Sequence, residues 1–359
     1  MKKVSFNNLE KFEYLPYAKI NLGAIKNNAK IIKNSTKALV CAVVKSNAYG
    51  HGLVESALAI NEHCDCFAVC SLCEGVSLRI AGINKPIICL LPINNVRRAL
   101  LYDITLCIHS IKYFKELNRF ASKNGLKVNC HIAVNTGMNR LGIDNLNELD
   151  SCLKSNGNIN ITGIYSHFYN VESKKECETQ FLSFLPFVQM AKLYNKEVIA
   201  HISASGGFVL NEKYHLDMVR IGIMNYGYCP IKSDIKLQRA MTVIAPLIQK
   251  RRVQAGENLL YGDYKTNTDL NLGIYAYGYA NGVRYPLFSQ INNSCMNICA
   301  NLQQEKELII MDNATKVAKK LKTIEYHVLT TFGNNCKRIY GDLNENYFGK
   351  IQGKKTCIF

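Results

Sequence analysis

The chain has no apolar run approaching the roughly 18 residues that a membrane helix needs. Its opening, MKKVSFNNLEKFEYL, carries lysines but no apolar stretch behind them. These two absences argue against a membrane span and a secretory signal, and point to the cytoplasm. No block of five or more basic residues occurs, although the formal net charge is +17. The lysines are spread over segments of helical period, so the excess reads as solvated outer faces and no nucleic-acid partner is expected. Paired CxxC spacing is missing as well. The tightest group of chelating residues, His63, Cys64, Cys66, Cys70 and Cys73, falls in DCFAVCSLCEGVSLR. That segment reads as a strand of small apolar residues running into a helix, and no metal is expected. Fifteen cysteines in a long chain without a secretion signal read as reduced thiols. No internal repeat or low-complexity linker stands out.

What is present is enough apolar content, 48% of 359 residues, to bury a large core. From residue 17 to about 225, short runs rich in Val, Ile and Cys alternate with longer stretches of helical period. This is the pattern of parallel strands with crossover helices. Candidate strands begin near Leu39, Cys66, Pro86, Ile104, Val128, Ile159, Glu197 and Met218, and eight such units predict a closed (β/α)8 barrel. After about residue 235 the runs TVIAPLIQKRRV, LGIYAYGYA and SCMNICANL read as strands, broken by turn signals at AGEN, ANG, INN and GNN. The expected organisation is therefore a barrel over 1–235 and a mostly-β domain over 236–359. The alternating run YAKINL, within residues 1–22, is expected to lend that second domain a strand.

Barrel chemistry sits at the C-terminal ends of the strands. The first strand ends in AVVKSNAYGHG, where Lys45 terminates an apolar run and turn-forming residues follow. An amine there is placed to attack a carbonyl, although a strand-end lysine also simply reaches for water. The fifth strand leads to Arg140, the sixth to His167, the seventh to Ser205, Gly206 and Gly207, and the eighth to Arg220 and Gly222. Glycines after the last two strands lie where barrels bind phosphate through backbone N–H groups. A lysine, two arginines and a phosphate cradle together describe a pocket for pyridoxal 5'-phosphate. Singly, His167 reads as a satisfied buried histidine, Ser205 as a helix cap and Arg220 as the partner of Asp217.

These segments resemble the alanine racemase family, enzymes of pyridoxal phosphate fold type III, across essentially the whole chain. AVVKSNAYGHG resembles the family's cofactor-lysine motif, TGMNRLG its arginine loop, and HISAS with VRIGIMNYG its phosphate-and-ring motifs. YGYANG at 277–282 is similar to the stretch carrying the catalytic tyrosine, and IMDN at 310–313 to the substrate loop. The resemblance implies that Lys45 holds the cofactor as a Schiff base and exchanges a proton on one face of the alanine alpha carbon, with Tyr279 acting on the other. A phenol ordinarily ionises near pKa ~10 and needs hydrogen bonds to its anion to serve, which a His167–Arg220 chain would supply. Arg220 is implied to face the pyridine nitrogen and keep it unprotonated, which favours racemisation over transamination. Tyr49, Ser205, Gly222 and Ile223 are implied to hold the phosphate, and Arg140 with the Met311 backbone the substrate carboxylate. The family is a homodimer in which Tyr279 and Met311 come from the partner, and its product D-alanine feeds peptidoglycan.

The resemblance has departures. The strand before TGM carries Ala133 where the family usually has lysine, so support for Arg140 must come from elsewhere or from an anion. GYADG has become GYANG, with Asn281, which predicts a change at the level of a turn. Near the C-terminus, where the family places an entrance tyrosine, FGNNCKR offers Phe332 or Asn334. A smaller side chain there predicts some turnover of serine or larger amino acids. Competing readings are a broad-specificity racemase or a basic amino-acid decarboxylase of the same fold, and a noncatalytic pyridoxal phosphate-binding protein.

Overall fold

The computed structural model describes residues 15–155, 157–258, 265–281, 299–301 and 304–341. They form two compact units, one of residues 22–48 and 53–238 and the other of 15–21, 49–52 and 239–341. In chain order the strands are β1 Tyr17–Asn21, β2 Leu39–Val43, β3 Cys66–Val69, β4 Ile87–Cys89, β5 Ile104–Ile108, β6 Val128–Ala133 and β7 Ile159–Tyr165. They continue with β8 Ile199–His201, β9 Met218–Ile221, β10 Met241–Val253, β11 Leu270–Tyr275, β12 Cys299–Asn301, β13 Glu307–Met311 and β14 Lys337–Gly341.

The first unit is a closed parallel barrel. Its sheet runs β8-β7-β6-β5-β4-β3-β2-β9. The ring closes between β9 and the end of β8, where Arg220 N–H donates to Ser203 O at 2.9 Å and Ala204 bridges to Arg220. Strands covered on both faces need apolar residues at every position. Val40, Cys41, Ala42 and Val43 of β2 are all buried, as is every residue of β3 and β4. Helices α1 Leu22–Asn34, α2 Leu53–Ile60, α3 Leu72–Ile80, α4 Val96–Leu101, α5 Ile111–Lys123, α6 Leu146–Lys154, α7 Lys174–Tyr194 and α8 Ser205–Leu210 belong to this unit. Helix α1 precedes the first barrel strand yet lies beside the segment that follows the last. The fully buried Asn28 fixes it there, donating to Asn225 O (3.1 Å) and Gln238 O (2.7 Å) and accepting from Gln238 N–H (2.8 Å).

The second unit is mostly strand, ordered β12-β11-β10-β1-β14 with β13 also on β10. Strand β1 runs antiparallel to β10 and parallel to β14. The long β10 exchanges partners along its length, and its ladders shift register after Val243 and after Leu247, on either side of Pro246, which has no N–H to donate. Two helices, α9 Ala314–Leu321 and α10 Glu325–Asn334, complete it. Helix α10 extends into the GNN segment that reads as a turn in the sequence and ends at Asn334, so the chain turns at Asn335 before β14, with Phe332 and Gly333 buried inside this unit. Among the described residues no helix is long and apolar enough to cross a membrane, and no group of chelating side chains is placed to hold a metal ion.

Candidate active site

Lys45 stands one residue beyond the buried run of β2, half-buried, at the C-terminal rim of the barrel. The backbone then turns left-handed. Ser46, Asn47, Ala48 and Tyr49 have φ between 53° and 57°, a conformation that costs roughly 1–2 kcal/mol for each residue bearing a side chain. Strain of this kind persists only where surrounding structure dictates it, and it concentrates at functional sites.

Arg140 lies on the loop after β6, exposed. The loop is folded around the amide of Asn135. Its oxygen accepts from Gly137 N–H (3.1 Å) and Asn139 N–H (3.0 Å), and its nitrogen donates to Asn139 Oδ1 (3.0 Å) and Asp144 Oδ1 (2.8 Å). Gly142 closes the loop at φ +132°, where an added Cβ would meet Asn135 N at 2.6 Å. These backbone devices brace the loop whose strand carries the buried Ala133.

Arg220 is the centre of the rim. It is 3% exposed, and no carboxylate faces it among the described residues. Asp217, a sequence-level candidate partner, instead pairs with Lys192 at 2.7 Å. The Arg220 guanidinium donates to the backbone oxygens of Ser166 (2.7 Å), His201 (3.1 Å) and Ile202 (3.1 Å). It also donates to Nδ1 of His167 (3.1 Å) and to Nδ1 of His201. A guanidinium only donates, so both rings must carry their proton on Nε2. His201 Nε2–H then donates to Nδ1 of His131 at 2.9 Å, which fixes the third ring in the same tautomer. All three imidazoles are held neutral. Burial first, and then the Arg220 charge, pushes His131 down to about 3 and His167 and His201 well below the usual range. For His167 the charges of Arg140 and Lys45 act in the same direction. Tyr165 completes the packing, its ring stacked on His201 at 5.1 Å and lying 5.3 Å from the guanidinium.

His131, His201 and Tyr165 were not apparent as site residues in the sequence, where each lies in a mostly apolar strand. A glycine within a strand, Gly163, marks the close approach: an added Cβ there would meet His131 Cε1 at 2.5 Å.

Beside Arg220, the strand ends β8 and β9 feed two short helical starts. Ser205 opens α8 and Ile223 opens a 3-10 turn, Ile223–Tyr226, and Gly222 N–H donates to Ser205 Oγ at 3.3 Å. The first N–H groups of each start have no intrahelical partner, the arrangement that receives an anion. A phosphate cradle and a buried cationic donor on one rim fit pyridoxal 5'-phosphate, whose ring nitrogen accepts and whose phosphate is anionic.

The remaining sequence candidates belong to the second unit. Tyr49 is buried there, its ring 5.7 Å from Tyr326 of α10, a neighbour the sequence did not suggest. Met311 ends β13 opposite Val243, and Asn313 then caps α9. Tyr279 begins a 3-10 turn, and its side chain lies outside the described residues. In that turn Asn281 Oδ1 accepts from Gly278 N–H at 3.0 Å, so the amide keeps an acceptor where the motif has an acid. Phe332 is buried with its ring 6.0 Å from Tyr277, whereas Asn334 is exposed at the end of α10.

Residues 20–230 match the family described as alanine racemase, N-terminal domain, and residues 240–340 the alanine racemase C-terminal domain. An alanine racemase of Clostridium perfringens is 30% identical over 379 aligned residues, covering 92% of this chain and 96% of that protein. The solved alanine racemase of Streptomyces lavendulae superposes with a TM-score of 0.84 at 25% identity, over 94% of this chain and 99% of the other. A Bartonella henselae alanine racemase, with covalently bound pyridoxal phosphate, gives 0.81 at 25% identity, over 92% and 100%.

Proposed function

The chain belongs to the alanine racemase family, and from that premise we propose that it interconverts L-alanine and D-alanine with pyridoxal 5'-phosphate held on Lys45. The observation that carries the proposal is the buried Arg220, hydrogen-bonded to His167 and adjoining the helical starts at Ser205 and Ile223. When bound, the cofactor withdraws electrons from the substrate alpha carbon and makes its proton labile. The chain's own residues then decide where that proton goes. Lys45 exchanges it on one face, and Tyr279 of the partner subunit on the other. His167, its Nδ1 occupied by Arg220, has only Nε2–H to offer, and that donor stabilises the Tyr279 phenolate. Arg220 keeps its positive charge against the ring nitrogen and so keeps that nitrogen unprotonated. Tyr49, Ser205, Gly222 and Ile223 hold the phosphate. Arg140 and the Met311 backbone hold the substrate carboxylate.

On this reading the barrel domain, 1–235, and the β domain, 236–359, of two subunits build each site in a homodimer. The enzyme works in the cytoplasm and its product enters peptidoglycan. Two inactive variants test the sharing. Lys45→Ala and Tyr279→Phe, each dead alone, are expected to regain racemisation when co-expressed, because a mixed dimer holds one site with both bases. Failure to complement, with mixed dimers demonstrated by differential tagging, rules out the shared site. The chemistry is tested by adding L-alanine in deuterium oxide and following alpha-proton exchange and D-alanine. Exchange with serine at a comparable rate would favour a broad-specificity racemase. A cofactor absorbance band without exchange for any amino acid would favour a noncatalytic binding protein.

A further inference from the structure

The turn that follows Lys45 is strained at four successive residues, and a carboxylate from the neighbouring strand-helix unit holds it. Glu74 Oε1 accepts from Asn47 N–H at 3.0 Å, in the middle of the left-handed segment. Its other oxygen, Oε2, accepts from Cys70 N–H (3.1 Å) and Ser71 N–H (3.2 Å). With Ser71 Oγ accepting from Glu74 N–H at 3.2 Å, the Oε2 bonds make a capping box at the start of α3. A capping box needs its glutamate only to reach back to its own helix start. Here the same side chain also spans from the end of β3 to the end of β2. Asn47 passes the tie onward, its Oδ1 accepting from Leu53 N–H at 2.7 Å at the start of α2. Ala48 N–H closes back on Val44 O at 2.8 Å. Lys45 therefore sits between a hydrogen-bonded strand and a turn that the Glu74 carboxyl group ties to the start of α3.

We propose that Glu74 is a positioning residue for Lys45: by holding the left-handed turn through Asn47 N–H, it fixes the direction in which the lysine amine points. Glu74 acts through the Asn47 backbone and need not touch the reacting atoms. The proposal rests on Lys45 being the cofactor's anchor and one of the two bases.

The test compares full-length holoenzymes carrying Glu74→Gln, Ser71→Ala, and Glu74→Gln with Ser46→Gly, reading kcat and KM for L-alanine, the cofactor absorbance band and the melting temperature. Glu74→Gln turns one acceptor into a donor that cannot serve the same N–H groups, and it is expected to lower kcat by ~10-fold or more with KM little changed. Ser71→Ala removes the other half of the capping box and leaves the Asn47 bond, so its kcat should stay within about twofold even though α3 is weakened. Ser46 is exposed, and glycine adopts its left-handed conformation freely. Ser46→Gly in the Glu74→Gln background should therefore recover about threefold or more of the lost kcat.

Unchanged kcat in Glu74→Gln, or an equal loss in Ser71→Ala, would overturn the proposal and assign Glu74 to capping alone. If Glu74→Gln does not fold, Glu74→Asp keeps the charge but is one methylene short of Asn47, and an unchanged kcat there overturns it equally. A wild-type protein with no cofactor band that depends on Lys45 overturns the functional reading, and this proposal with it. A wild type that racemises beside an unaffected Glu74→Gln removes this proposal alone.

Discussion

The two halves of the barrel are built from different materials. Strands β2 to β5 carry apolar side chains, thiols and one threonine, with no charge and no imidazole. Strands β6 to β9 carry His131, Tyr165, His201 and Arg220. The first half stabilises by burial, which is non-directional and forgiving of small changes of shape. The second half holds a guanidinium by neutral acceptors alone, each of which must be correctly placed because an unpaired buried polar group is costly. The lysine hangs on the forgiving half, and the groups that set its electrostatic surroundings hang on the exacting one.

Arg220→Met would break this contrast most sharply, by making the second half apolar too. It strands three carbonyls and two imidazoles, and should cost about 3–5 kcal/mol of stability. Racemisation should fall by roughly 10²–10³-fold. Denaturant melts and a chiral assay read the two, and an active, fully stable variant would show that the network is dispensable.

Acid should separate the halves next. His131, His167 and His201 have folded-state values depressed below their unfolded value, so the unfolded chain binds protons that the folded chain refuses. Stability is therefore full above about pH 6.5 and is lost as pH falls through the window down to about 3 for His131. Each such histidine costs on the order of 1.4 kcal/mol per pH unit there. Unfolding free energies at pH 7.5 and 5.5 check it, and a flat profile would contradict the neutral tautomer chain.

Gly163→Ala sharpens the comparison at one atom. The new methyl group meets the His131 ring, so the ring must move and release His201, at an expected ~1–3 kcal/mol. Activity should fall while cofactor binding survives, which a titration of the absorbance band against pyridoxal phosphate distinguishes. The smallest effects belong to the apolar half. Burial pushes the Cys89 and Cys107 thiols up to about 12, so they should resist thiol reagents in the native protein. Cys107→Ala should cost about 1 kcal/mol and leave racemisation unaltered.

Most of the first half was legible in the sequence. Parallel strands covered on both faces are unbroken apolar runs, so their starts at Leu39, Cys66 and Ile104 coincide with those read from the chain. A lysine ending such a run is visible for the same reason. In the exacting half the strands also start where the chain indicates, at Val128, Ile159 and Met218, but of its buried polar groups only those at strand ends were legible. His131 and His201 each lie in a mostly apolar strand, and their acceptor roles depend on an arginine elsewhere in the chain. Helix α10 was missed because EYHVLTTFGN is rich in β-branched and aromatic residues, whose strand preference is overridden by the burial of Val328, Leu329 and Phe332. Asn28, which seats α1, carries no signal in a helix of ordinary amphipathic pattern.

The position of β1 has a consequence in time. It is made before every barrel strand, yet one of its ladder partners is β10 and the other is β14. At about 5–20 residues per second, the strand waits on the order of tens of seconds before β10 is made, and its other edge stays open until β14 follows. All eight barrel strands emerge within that interval. Mature pairing of the β unit is therefore a late event that waits for β14, and a strand left uncovered for that long is open to chaperones and to mispairing between nascent chains.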